Sequence, residues 1–145
     1  VDVYSENKTD LQKVLDIFKN KKSVFGQIIP EPNWMEIPYN GELPKKREMK
    51  APNGDIVTVV TEFSDGSQDV RWYDWRLQNW DTKWDASALD IEEHVWDDEL
   101  ESFQATFNTA WSPPEGICSK LRELFPNVSI QWFYDEPGCE IAGYL

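Results

Sequence analysis

Residues 101–124 constrain the fold most, because the spacing of apolar side chains changes there at one marked point. Phe103, Ala105, Phe107 and Thr109 alternate with Gln104, Thr106 and Asn108, as the two faces of a half-buried strand do. Ser112-Pro-Pro-Glu115 then has the form of a capping box, with proline at the first helical position, where a missing N–H costs nothing. Ile117, Leu121, Leu124 and Phe125 follow as an amphipathic stripe, and Pro126 ends it.

The same strand-then-helix order opens the chain. Residues 1–5 alternate apolar and polar, Thr9 is placed to cap a helix with Gln12 three positions on, and Leu11, Val14, Leu15 and Phe18 form its buried stripe. Lys19, Lys21 and Lys22 suit the negative end of that helix. Prolines at 30, 32, 38, 44 and 52 then forbid long regular elements, so residues 30–54 are expected as loop. Asn53-Gly54 marks a turn before a strand at 56–63 that, at an edge, could pair with a second copy. Further on, the pattern predicts a helix from Asp69 or Val70 to Trp80, strands at 83–95, 101–111, 128–134 and 140–144, and a Glu136-Pro-Gly138 turn.

At 145 residues the chain is expected to be one domain, 1–145, with an irregular insert at about 26–68. Without the insert the order is β-α-β-β-α-β plus one strand. That is an α+β fold of the ferredoxin-like, split βαβ kind, an antiparallel sheet with its helices packed on one face.

Charge narrows the functions. Twenty-seven acids against fourteen bases leave −13, which repels phosphate backbones and argues against direct nucleic-acid binding. No apolar run approaches membrane-spanning length, and no secretory h-region is visible, so a cytoplasmic location is expected. His94, Cys118 and Cys139 are too few for a four-ligand zinc site of Cys and His within one chain, and no phosphate loop, nucleophile elbow or H-E-x-x-H is present. Neither a cofactor nor a metal is therefore expected. Cys118 falls on the apolar side of its helix as a structural thiol, and a Cys118–Cys139 disulfide stays open.

Several motifs also resemble a known family. Trp72-Tyr-Asp-Trp75, Asn79-Trp80, Thr82-Lys-Trp-Asp-Ala86, Phe107-Asn-Thr-Ala-Trp-Ser-Pro-Pro114 and Tyr134-Asp-Glu-Pro-Gly138, followed by Ile141-Ala-Gly143, are similar in kind and order to the YubB-type ferredoxin-like domains of phages and conjugative plasmids. Asp81 departs from the pattern, standing where a glycine is common. The resemblance implies the fold and a mobile-element origin. It implies no activity.

Three constellations are candidate sites. Trp72, Asp74, Trp75, Arg76, Asn79, Trp80, Lys83, Trp84, Asp85 and Trp111 read first as aromatic core, with Asp74, Asn79 or Asp85 taking indole N–H groups, and second as a partner-binding surface or a platform for stacking a glycan or base. The acidic run Asp90, Glu92, Glu93, Asp97, Asp98 and Glu99, in a stretch without Lys or Arg, reads as a solvated face, as a nucleic-acid mimic that attracts a basic partner surface, or as hard-cation ligands. Asp74 and Asp85, flanked by indoles, are the best candidates for acid–base chemistry. Together they favour a non-enzymatic module that binds a host protein with a basic surface, against an enzyme using Asp74 or Asp85 in a Trp-lined cleft. Oligomeric state is not legible.

Overall fold

The computed structural model describes residues 1–20 and 22–145, so the expectation for Lys21 lies outside the described residues. In chain order the elements are β1 (Asp2–Tyr4), α1 (Lys8–Lys19), α2 (Phe25–Ile28), a 3₁₀ turn (Trp34–Glu36), β2 (Lys45–Lys50), β3 (Ile56–Glu62), α3 (Arg71–Asn79), β4 (Ser87–Trp96), β5 (Glu99–Asn108), α4 (Glu115–Leu124), β6 (Ser129–Gln131), β7 (Phe133–Glu136) and β8 (Ile141–Tyr144). They fall into two compact units, Val1–Pro30 with Arg76–Leu145, and Glu31–Trp75.

In the first unit β4, β5, β1 and β6 form one sheet in that order, and every neighbouring pair is antiparallel. This is the ferredoxin-like α+β arrangement that the β-α-β-β-α-β order predicts. Only one face of the sheet is buried: Val3, Phe103, Ala105 and Ile130 are sealed, while Asp2, Gln104, Ser129 and Gln131 are exposed. On α1 the whole Leu11, Val14, Leu15 and Phe18 stripe is buried, with Phe18 edge-on to Phe103 at 5.7 Å between ring centroids. On α4 Ile117, Cys118 and Leu121 are buried, but Leu124 is exposed. Burial raises the Cys118 thiol pKa, which suits the inert structural role; Cys139 is exposed and both cysteines are free.

Both expected helix caps are corrected. Asn7, not Thr9, caps α1, its side chain accepting from Asp10 N at 3.2 Å, because the helix starts at Lys8 and not at Asp10 as a Thr9 cap requires. Ser112 does not close a capping box on α4: its hydroxyl donates to the Asp81 carbonyl, and Pro114 stands at the N-cap with no side-chain bond. Asp81 takes over the role from outside the helix, its Oδ2 accepting from Gly116 N at 2.8 Å. Gly116 is required there, because a Cβ would lie 2.2 Å from the Asn79 carbonyl. Asp81 has φ +61°, the left-handed conformation that a glycine adopts without penalty.

The expected strand at 128–134 is two strands that part at Trp132. β6 stays in the main sheet, whereas β7 pairs with β8 in a separate hairpin, Phe133 opposite Tyr144. Trp132 is buried against Phe107 at 5.6 Å, and sealing that indole turns the chain out of the sheet.

The Glu31–Trp75 unit corrects the loop expectation for residues 30–54. β2 pairs antiparallel with β3 from Lys45–Glu62 to Lys50–Ile56. Pro44 precedes β2 and Pro52 follows it, so neither removes a ladder bond. Arg71 organises this unit. Its guanidinium makes a fork with the Asp69 carboxylate at 2.8 and 2.7 Å, donates to the Ile37 and Trp34 carbonyls, and lies over the rings of Trp34, Tyr39 and Phe63 at 5.2, 5.7 and 5.7 Å. The Asp69 carboxyl is held below its ordinary pKa by its bonds with Arg71.

Candidate functional site

The face of the main sheet turned away from the helices is polar by register. One row reads Glu92, Gln104, Asp2, Gln131, and the next reads His94, Ser102, Tyr4, Ser129, with Asp90 opposite Thr106. Gln104 donates to Asp2 at 2.7 Å. None of these residues is Lys or Arg, so the face has three carboxylates and no cation to meet a phosphate.

β4 is an edge strand of ten residues, paired only with β5, and eight of the ten are exposed. Bulges at 87–90 and 94–95 interrupt its register, and its charged side chains blunt the open edge as edge strands of this length require. Asp97 and Asp98, with φ +48° and +62°, make the two-residue turn to β5 and hold the left-handed conformation usually left to Asn or Gly. Trp96 closes the turn opposite Glu99 and is 73% exposed; Val95 beside it is also exposed. The acidic run is therefore divided: Asp90 and Glu92 lie on the open face and Asp97, Asp98 and Glu99 at the tip, while Glu93 turns back and pairs with Lys19 at 2.6 Å. Trp96 was absent from the sequence-derived candidates. Its local signal was an indole embedded in a stretch of acids without a single base.

The indole set is divided between the two units. Trp72 and Trp75 are half-buried within Glu31–Trp75, and Asp74 is exposed between them. In the other unit Trp80 is 1% exposed, edge-on to Phe25 at 5.8 Å, and donates to the Ile29 carbonyl at 3.0 Å rather than to Asp74, Asn79 or Asp85. Arg76 covers the Trp80 ring at 4.8 Å and donates to the Lys83 carbonyl, and Asn79 is half-buried. Trp84 and Trp111 are exposed, and Lys83 Nζ lies 4.4 Å from the first ring and 5.9 Å from the second. Core packing accounts for Trp80. Outward display accounts for Trp84 and Trp111.

Trp111 combines 79% exposure with φ +69°, a conformation that a bulky L-residue rarely holds. Replacing Trp111 with Gly is expected to raise the unfolding free energy by about 1 kcal/mol, because the strain is relieved and little buried area is lost. Urea denaturation reads this directly, and an unchanged or lowered midpoint contradicts it.

Asp85 is committed to structure. It accepts from the Ser23 hydroxyl, from Phe25 N at 2.9 Å and from Ala86 N at 2.7 Å, which caps α2. Among the described residues no group of three or more His, Cys, Asp or Glu side chains could hold a metal ion, and no helix is long and apolar enough to cross a membrane.

No curated protein and no solved structure matches the chain. A family model does: residues 79–145, which carry the β4–β5 hairpin, α4 and the final strands, are similar to the ferredoxin-like domain in Api92-like protein.

Proposed function

We propose that this chain is a non-enzymatic protein-binding module of the YubB type, carried by a phage or plasmid and acting in the host cytoplasm. Its acidic β4–β5 hairpin and open sheet face dock on a basic protein surface, one that otherwise holds nucleic acid, and block it as a charge mimic. The observation that carries this reading is the hairpin itself: Asp90 and Glu92 stand exposed along it and Asp97, Asp98 and Glu99 stand exposed with Trp96 at its tip, with no Lys or Arg anywhere in β4 or β5. Carboxylates steer a cationic partner from a distance, and an exposed indole supplies the apolar anchor that interfaces concentrate at their centre.

Capture from host lysate tests it. The unaltered chain is compared with a variant in which Asp90, Asp97 and Asp98 become Asn and Glu92 and Glu99 become Gln; Glu93 is kept because it pairs with Lys19. The expected result is a cationic protein retained by the first and lost from the second by about tenfold or more, with retention falling as salt rises. Equal retention by both forms, or none by either, removes the proposal's support.

A further inference from the structure

A cleft of about 600 Å³ opens within the first unit at the far end of β5 from the hairpin, between the loop after β5 and the β7–β8 hairpin. Asn108, Trp111, Phe133, Asp135, Glu136 and Ile141 are among its lining residues, and none of the lining side chains is Lys or Arg. Trp111 stands at this cleft with most of its indole in solvent, and Phe133 is likewise half exposed. Lys83 already approaches Trp111 at 5.9 Å, so this indole takes a cation at its π-face in the chain's own fold.

The geometry points to a recognition site for an arginine side chain of the partner protein, with the guanidinium stacked on Trp111 and paired with the carboxylate of Asp135; Glu136, next along β7, points to the other face and accepts from Gly138 N at 3.1 Å. A planar guanidinium meets both demands at once, lying flat on an aromatic ring while its N–H fork engages carboxylate oxygens; an ammonium does this less well and a phosphate is repelled. This inference rests on the reading that the partner is basic and names the side chain that it presents, at a place separate from the acidic hairpin.

The test is a titration followed by NMR at the indole N–H of Trp111 and the β7 amides. The ligand is a blocked glycine-rich peptide with two arginines, and the control is the same peptide with citrulline, which keeps the shape and loses the charge. The arginine peptide is expected to shift these signals and the citrulline peptide to leave them in place. Trp111→Ala should abolish the response at the β7 amides, and Asp135→Asn should weaken it by roughly tenfold. Trp96→Ala should leave this titration unchanged while reducing lysate capture, so failure of the cleft and failure of the hairpin are told apart. No shift with the arginine peptide, an equal shift with citrulline, indifference to the carboxylate substitution, or a response to neutral oligosaccharides instead would each overturn the assignment.

Discussion

Replacing Arg71 with Ala is expected to destabilise the Glu31–Trp75 unit by about 3–5 kcal/mol, the range for breaking a buried ion pair from one side. The Asp69 side chain is only 2% exposed and Arg71 18%, so removal of the guanidinium leaves a largely buried carboxylate without its fork. The same substitution takes a donor from the Ile37 and Trp34 carbonyls, the second of which keeps Ile37 N, and removes the cation from between three rings. Lysine at this position restores the charge without the fork and should recover only part of the loss. Amide hydrogen exchange reads the effect at Asp69 and Phe63, whose N–H groups bond the Thr61 and Ser67 carbonyls; unchanged protection contradicts it. Acid should act in the same direction. The Asp69 pKa is lowered on folding, so its contribution is present above the unfolded carboxyl value of about 3.9 and disappears as pH falls through the folded value. This unit is therefore expected to open in acid, below about pH 4.

Trp80→Ala should cost the first unit about 3–5 kcal/mol, as for other large aromatic deletions in cores. The ring is sealed, lies against Phe25 and satisfies the Ile29 carbonyl, so truncation leaves a cavity and an unpaired acceptor together. Trp84→Ala, four positions along the same motif, should stay within about 0.5 kcal/mol, because its indole is 54% exposed. Urea denaturation of the two variants in parallel separates the roles. Similar losses at both positions would contradict the division of the tryptophans into core and surface.

That division was not legible from spacing. Trp80 and Trp84 share one aromatic motif, and only the Ile29 carbonyl, brought in from 51 residues away, marks the first as core. The Asp69–Arg71 pair was hidden for the same reason, since the three rings and two carbonyls around it come from separate turns. The cap on α4 failed through a competitor: Ser112 has the right spacing for a capping box, but Asp81 reaches the helix start first. β2 failed because proline density was averaged over a window, whereas the strand fits between Pro44 and Pro52.

The sequence by itself determined the strands and helices of the main sheet, β1, α1, β5 and α4 above all, and the buried stripe of α1, because alternation by two and recurrence at 3.6 residues are local consequences of backbone geometry. It also determined the sign of the surface, since charge is additive and needs no coordinates. The tertiary structure alone decided which indoles face water, Trp96 and Trp111 among them, and which carboxylates serve as caps or ion-pair partners. Exposure and pairing arise from contacts between residues far apart in the chain, and no window along the sequence contains them.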